Sequence, residues 1–158
     1  MKRILIVLVG GLSAALAAAA LAGAHGGAPN ASTARAAKVL LRNTELGTLL
    51  TNASGFTLYE FTRDHRNQDT CQKIRECKSE WPALKTTGKP VAGPGVRASL
   101  LGTITLPGGA KQVTYAGHAL YIYSGDPGPA VTSYIGTKVF GGLWEGINAA
   151  GHAVKQHG

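Results

Sequence analysis

The sequence has few residues of the kinds that form metal and redox centres. Its 158 residues include two cysteines and one methionine, Met1. Without a further methionine the chain cannot build a blue-copper site with an axial Met, and without a C-x-x-C-H pattern it cannot attach a c-type haem. Five residues separate Cys71 from Cys77, and no second pair follows. Paired zinc ligands are usually separated by about two to four residues, so this spacing disfavours a zinc site.

Signatures of catalysis are also missing. The sequence contains no G-x-S-x-G turn for a nucleophilic serine, no phosphate-binding loop ending in G-K-(S/T), and no H-E-x-x-H metal motif. The scattered Ser, His and Asp residues do not form a recognisable triad. We therefore expect neither an enzyme nor a bound cofactor, and we assign no catalytic residue.

The chain is basic, but no run of lysine and arginine concentrates the charge. It has 16 basic and 8 acidic residues, and beyond the first few positions the basic ones are scattered from Arg35 to Lys155. This distribution argues against a nucleic-acid-binding protein. A positive balance favours contact with an anionic component of the cell envelope, and it also promotes solubility, so the partner stays unknown.

The first 24 residues have the pattern of an export signal. Lys2 and Arg3 precede an apolar run from residue 4 to about residue 21, and Ala22-Gly23-Ala24 fits the small-residue pattern of signal peptidase sites. The run approaches the ~20 residues needed to span a membrane, so an uncleaved anchor is the alternative. Cleavage would leave no transmembrane segment and 14 basic against 8 acidic residues, a net charge of +6. We predict a secreted or periplasmic protein.

Cleavage after Ala24 would make His25 the first residue. An N-terminal histidine offers an amine and an imidazole to copper, but Gly26 and Gly27 behind it favour disorder. Residues 25–37 are mostly small and predict a disordered leader. No cysteine stands directly at the end of the apolar run, so the chain lacks the residue on which a lipoprotein carries its lipid.

One pattern occurs twice and organises the rest of the chain. Residues 55–64 and 117–126 both read G-x-x-L-Y-x-(F/Y)-x-x-D, 62 positions apart. A tryptophan follows each copy, 22 residues after the first tyrosine and 23 after the second. Two units are too few for a solenoid, so we predict two similar units packed into one domain. The residues that define the repeat and supply its core or a ligand groove are Tyr59, Phe61, Asp64, Trp81, Tyr121, Tyr123, Asp126 and Trp144.

The apolar segments read as strands rather than helices. Few of them keep a helical period for ten residues, so we predict a mainly β fold of two hairpin-rich repeats. The strand candidates that involve the motif are Phe56 to Phe61 and His118 to Tyr123. The predicted domain spans residues 38–150, with repeat 1 at about 45–84, repeat 2 at about 100–148 and a polar tail at 151–158.

One short helix is predicted beside the cysteine pair. Residues 72–80 lie between Thr70, which can cap a helix, and Pro82, which would stop it. Cys71 and Cys77 are the only cysteines of a chain with an export signal, and a disulfide between them is the default in an oxidising compartment.

Two roles are open to the aspartates that close the motifs. An aspartate just after a strand most often accepts hydrogen bonds that stabilise a turn. The alternative is that Asp64 and Asp126 meet as a carboxylate pair and bind a cation. His118 joins His25 as a candidate metal ligand, although its position in a strand favours an ordinary structural role over metal binding.

Taken together, these residues resemble a bacterial family of predicted lipoproteins that is also described as a secreted repeat of unknown function. The family's Y-x-(F/W/Y)-x-x-D motif is similar to residues 59–64 and 121–126, and the resemblance extends over about residues 45–150. Family members commonly place three residues between their cysteines, and many carry a lipid anchor. This chain has five residues there and lacks the anchoring cysteine. The resemblance implies no activity, substrate or cofactor.

From these observations we expect an exported, non-catalytic module that binds a ligand or associates with the cell envelope. The alternative is a redox protein of the extracytoplasmic space that holds a metal or haem through His25, His118 or the Asp64–Asp126 pair. A third candidate, an enzyme that acts on cell-wall material, has no residue to support it.

Overall fold

Short strands are the main regular secondary structure of the described chain. The structure, a computed structural model, describes residues 35–156. The strands in this part are β1 (Lys38–Thr44), β2 (Gly47–Thr51), β3 (Tyr59–Phe61), β4 (Lys85–Thr86), β5 (Val91–Ala92), β6 (Leu101–Thr105), β7 (Lys111–Tyr115), β8 (His118–Ala119), β9 (Lys138–Val139), β10 (Gly142–Ile147) and β11 (Ala153–Val154). The α-helix of this part, α1 (Arg75–Glu80), lies beside the cysteines. The mainly β fold with a short helix at the cysteine pair is therefore confirmed.

The strands belong to three sheets. In the first, β1 lies between β2 and β5, and β1–β5 is a parallel pair. In the second, β10 lies between β11 and β3 and also pairs with β9. In the third, β7 lies between β4 and β6 and also pairs with β8. All pairs other than β1–β5 are antiparallel. Short loops join the antiparallel neighbours β1–β2 and β6–β7.

The predicted signal peptide, His25 and the leader up to residue 34 lie outside the described residues, as do the last two residues of the predicted tail. At the described end of the leader, the Ala37 N–H donates to the Thr86 hydroxyl at 3.0 Å, and its carbonyl accepts from the Val91 N–H at 2.8 Å. Within the predicted tail, β11 pairs with the end of β10.

The motif strands are shorter than predicted. In the first motif the strand is confined to Tyr59–Phe61 rather than beginning at Phe56. In the second, β8 stops at Ala119, and Tyr121 makes isolated bridges to Tyr59 and to Ala83. The chain turns immediately after Phe61 in the first motif and after Tyr123 in the second. Each turn limits the length of the strand pairing.

The predicted helix is interrupted, and its predicted cap is wrong. A 3₁₀ turn covers Cys71–Lys73, Ile74 is extended with φ −110° and ψ 115°, and α1 begins at the next residue. Thr70 makes no side-chain cap hydrogen bond to the turn. The Gln72 N–H instead donates to the Asp69 carboxylate at 2.8 Å, because the Thr70 hydroxyl already donates to Asp64 at 2.7 Å.

The predicted disulfide is confirmed. Cys71 and Cys77 are bonded and fully buried, so the bridge ties the 3₁₀ turn to α1 inside the core. The Trp81 N–H donates to the Cys77 carbonyl at 2.7 Å at the end of the helix. The disulfide segment therefore fixes the position from which the Trp81 indole enters the core.

Two hydrophobic clusters fill the interior of the described part. One is aromatic and surrounds Trp81 and Trp144, and it includes the disulfide. The other is largely aliphatic, with Tyr115 as its aromatic member. No helix within residues 35–156 is long and apolar enough to cross a membrane.

We predict that replacing both Cys71 and Cys77 with Ser lowers the melting temperature while preserving the fold. A loop this short stabilises by about 2.4 kcal/mol through the entropy of the unfolded chain. Thermal unfolding followed by circular dichroism would measure the shift, with Ser79→Ala, an exposed change on the same helix, as the control. An unchanged melting temperature relative to the oxidised parent would contradict the prediction.

Candidate functional site

The two motifs meet backbone to backbone at the centre of the molecule. The Tyr59 N–H donates to the Tyr121 carbonyl at 3.0 Å, and the Tyr121 N–H donates to the Tyr59 carbonyl at 2.9 Å. Both tyrosines are completely buried. Each copy of the pattern found in the sequence is therefore the direct partner of the other.

Beyond this bridge, each motif pairs with the tryptophan segment of the other half. In the β3–β10 ladder, Phe61 lies opposite Trp144 and Tyr59 opposite Gly146. On the other side, Tyr121 bridges Ala83, close in sequence to Trp81. The two halves are thus interleaved through these pairings. The division into two similar repeats stays a prediction.

The tryptophans stack on each other at the middle of the aromatic cluster. The ring centroids of Trp81 and Trp144 are 3.9 Å apart, with an angle of 3° between the planes. Tyr59 meets Trp81 edge to face at 5.2 Å, and Tyr121 meets Trp144 in the same way at 5.1 Å. The two edge-to-face contacts have a favourable aromatic geometry at these distances.

The second aromatic residue of each motif covers the outside of the stack. Phe61 stacks on Trp144 at 4.3 Å, and Tyr123 lies against Trp81 at 4.4 Å. Gly142 allows the first of these contacts, since a Cβ there would approach the Phe61 ring to 2.6 Å. Tyr123 is only half-buried and continues to Tyr134 at 4.1 Å, so the ring cluster extends from the core to the surface.

The motif aspartates bind the phenols of the opposite motif. The Tyr121 hydroxyl donates to Asp64 at 2.6 Å, and the Tyr59 hydroxyl lies 3.2 Å from both oxygens of Asp126. Each carboxylate also follows a tight turn, because the Asp64 N–H donates to the Phe61 carbonyl and the Asp126 N–H to the Tyr123 carbonyl. The side chains of both aspartates thus make a phenol contact that the sequence did not indicate.

The phenols stay protonated in this environment. Burial, followed by the neighbouring carboxylate, holds the pKa of Tyr59 and of Tyr121 far above the usual tyrosine range. Burial also raises the pKa of Asp126 to about 6, although the hydrogen bond from Tyr59 works in the opposite direction. Asp126 is therefore a carboxylate of increased basicity.

Asp64 has a richer set of hydrogen bonds than Asp126. Its second oxygen accepts from the Thr70 N–H and the Thr70 hydroxyl, both at 2.7 Å. Burial raises the pKa of Asp64, and the hydrogen bonds from Tyr121 and Thr70 work to lower it. The 3₁₀ turn at the disulfide thereby holds the acceptor of the Tyr121 phenol in place.

His118 is bound to an acid that sequence reasoning missed. Its Nδ1 pairs with the buried Glu60 carboxylate, and Glu60 lies opposite the equally buried Glu145 in the β3–β10 ladder. The hydrogen bond to Glu60 raises the pKa of His118. The sequence did contain a signal for this pair, an acidic residue between Tyr59 and Phe61 in an otherwise apolar strand. A carboxylate that is buried in such a strand needs a hydrogen-bonding partner.

No group of three or more His, Cys, Asp or Glu residues within 35–156 is arranged to hold a metal ion. Asp64 and Asp126 each engage a tyrosine of the opposite motif and are not paired with each other. His118 contacts Glu60, and His25 lies outside the described residues.

A second candidate surface lies away from the aromatic cluster. Four concavities, the largest of about 420 Å³, adjoin one another through shared lining residues: Lys85 lines three of them, and Arg35 and Lys111 line two each. We call this region the basic face. Its cationic residues, all exposed, are Arg35, Lys38, Lys78, Lys85, Lys89 and Lys111.

Comparison with known proteins gives a match to one family over part of the chain and indicates no activity. Residues 41–85 match the model of a family described as a secreted repeat of unknown function. The family resemblance is therefore confirmed for this stretch, which contains the first motif, the disulfide and Trp81. No curated protein and no solved structure matches the chain significantly. The match to this family therefore assigns no substrate or cofactor to this chain.

We predict that Tyr121→Ala destabilises the protein by about 3–5 kcal/mol, the usual cost of truncating a buried aromatic ring. Tyr121→Phe keeps the ring and loses only the phenol hydrogen bond, so its expected cost is smaller, about 1–3 kcal/mol. Urea unfolding of both variants would measure the two values. A fully stable Tyr121→Ala protein would show that the ring is not part of the core.

We predict that the stability of the protein falls as the pH rises from about 4 to about 6, and that Asp126→Asn removes part of this dependence. The pKa of Asp126 is raised from 3.8 to about 6 in the folded state. Between these values the folded state holds a proton that the unfolded state has released, so the free energy of unfolding decreases with pH.

The measurement is the melting temperature of both proteins across this pH range. The asparagine side chain of the variant can still accept the hydrogen bond from Tyr59 but does not titrate, so the difference between the two curves isolates the carboxyl. Parallel curves for parent and variant would rule out a raised pKa at Asp126.

Proposed function

We propose that this chain is an exported, non-catalytic module that binds an anionic polymer of the cell envelope through the basic face. Export is supported by the signal pattern of residues 1–24, by the buried disulfide and by the match to a family described as secreted. The observation that carries the binding proposal is the continuity of the basic face, whose lining residues include six cations and no acidic residue.

The fold places most acidic side chains in or near the interior and leaves the cations of the basic face exposed. Acidic side chains are largely drawn inward, and those that are buried or half-buried are Glu60, Asp64, Asp69, Asp126 and Glu145. The ion pairs of the described residues join His118 to Glu60 and Lys155 to Glu145. None of the six cations of the basic face is neutralised in this way, so their field is available to an external anion.

The strand register places two of these cations on neighbouring strands. In the β4–β7 ladder, Lys85 lies opposite Gln112 and Lys111 lies opposite Thr86, so the two lysines are on adjacent strands and one step apart. Arg35 lines concavities together with each of them. The six charges are spread over four concavities and do not converge on one point, which suits a repeating anion better than a single small ligand.

The lining of these concavities also fits a polymer. Small-molecule sites are usually apolar cavities with a few convergent polar groups, whereas the basic face is lined largely by lysine, threonine, glycine and alanine. Exposed cations gain little from any single pair and are screened by salt, so useful affinity requires several contacts at once.

The test is binding of the purified protein to a glycerol phosphate polymer at low and at physiological salt. We expect binding that weakens with salt, and Lys85→Glu combined with Lys111→Glu should weaken it about tenfold or more at low salt. Lys138→Glu is the matched single control for Lys85→Glu, because Lys138 is exposed and lines none of the four concavities.

Equal losses in Lys85→Glu and Lys138→Glu would show that net charge alone governs binding and would contradict a specific face. Binding to vesicles that contain phosphatidylglycerol but not to the polymer would also contradict the proposal. Absence of binding to either would overturn it as well, and Lys85 would then serve only to protect an open sheet edge from pairing with other chains.

A further inference from the structure

We propose that the aromatic cluster is an electron relay, in which an external one-electron oxidant is reduced by the buried phenols of Tyr59 and Tyr121 while Asp126 and Asp64 accept their protons. The proposal goes beyond binding to the basic face and stands on different residues. It gives the repeated Y-x-(F/Y)-x-x-D pattern a chemical role that uses both its tyrosine and its aspartate.

The rings form an unbroken path from the surface to both phenols. Tyr134 and Tyr123 are half-buried and lie 4.1 Å apart, and Tyr123 lies 4.4 Å from Trp81. From Trp81 one branch reaches Tyr59 directly, and the other passes through Trp144 to Tyr121. Every step joins rings whose centroids are between 3.9 and 5.2 Å apart, and rings in contact are well coupled for electron transfer.

The hydrogen bonds determine which aromatic side chain retains the radical. The indole nitrogens of Trp81 and Trp144 are buried and have no hydrogen-bond partner within the described residues. An oxidised tryptophan here has no base to receive its proton and remains a cation radical in a low-dielectric interior, which is costly. The tyrosines differ, because each donates its phenol to a carboxylate.

The step is balanced in electrons and protons. The oxidant gains one electron, Tyr59 loses one electron and becomes a neutral phenoxyl radical, and the phenol proton moves to the Asp126 carboxylate. The rings of Tyr123 and Trp81 carry the electron outward and return to their starting state. Tyr121 and Asp64 can perform the same reaction through Trp144. An electron returned along the same rings from an external one-electron reductant restores the phenol, which takes its proton back from the carboxyl group.

The path of rings reaches the surface at Tyr123 and Tyr134. Trp81 and Trp144 are at most 1% exposed, and both motif tyrosines are fully buried, so a soluble oxidant meets Tyr123 or Tyr134 first. A radical that stays at the surface is reduced rapidly by a soluble reductant, whereas one that moves to Tyr59 or Tyr121 is shielded from it. This difference provides the readout.

The experiment is pulse radiolysis of the full mature protein with azide radical as the oxidant, and phenoxyl absorption is followed with and without ascorbate. We expect a phenoxyl population that resists ascorbate. Tyr59→Phe combined with Tyr121→Phe retains the rings but removes both phenols, so the resistant population should be lost. Tyr115→Phe is the matched control, because Tyr115 is buried and bonded to Ala149 but makes no ring contact with the cluster.

A second pair of variants keeps the test valid if the double phenylalanine protein fails to fold. Asp126→Asn and Asp64→Asn each keep a hydrogen-bond acceptor but cannot take up the proton, so each should remove its own share of the resistant radical. A parent protein whose phenoxyl radical is reduced by ascorbate as fast as free tyrosine would overturn the proposal. So would a resistant radical that survives in the double phenylalanine protein, or one lost equally in Tyr115→Phe.

Discussion

The structure depends on one reciprocal pair of backbone hydrogen bonds between Tyr59 and Tyr121. This bridge brings the two motifs together and directs each side chain toward the tryptophan and aspartate that complete its environment. The tryptophan stack, the two phenol–carboxylate contacts and the turns after each motif all follow from it. Because both tyrosines are fully buried, the bridge lies in a low-dielectric interior, where leaving such groups unpaired is costly.

Two parts of the molecule follow opposite rules for charge. The interior accepts carboxylates wherever a phenol, a hydroxyl or an imidazole can bond them, as Asp64, Asp126 and Glu60 show. The exterior keeps unpaired cations on the basic face, which includes Lys85 and Lys111. The net charge of the chain therefore understates the contrast that an approaching anion would meet.

The sequence predicted the β class, the helix position and the disulfide because these depend on local composition and on two cysteines that have no other partners. It did not predict that Tyr59 would bond Asp126 while Tyr121 bonds Asp64, since the period of a strand says nothing about which strand lies opposite. The Glu60–His118 pair was missed for the same reason. Thr70 was predicted to cap the helix, but Asp69 accepts the hydrogen bond from the Gln72 N–H. The Thr70 hydroxyl instead donates to Asp64, which is close to it in both sequence and space.

The interleaving of the two halves also constrains how the chain can fold. The ladder partner of β3 is β10, near the other end of the domain, so this pairing joins residues far apart in sequence. Such topologies fold slowly, because a long loop must close before its contacts stabilise it. The disulfide segment, by contrast, is local and can form early. A chain that reaches its compartment unfolded would thus keep the first motif strand, β3, without its β10 partner until nearly all of it has arrived.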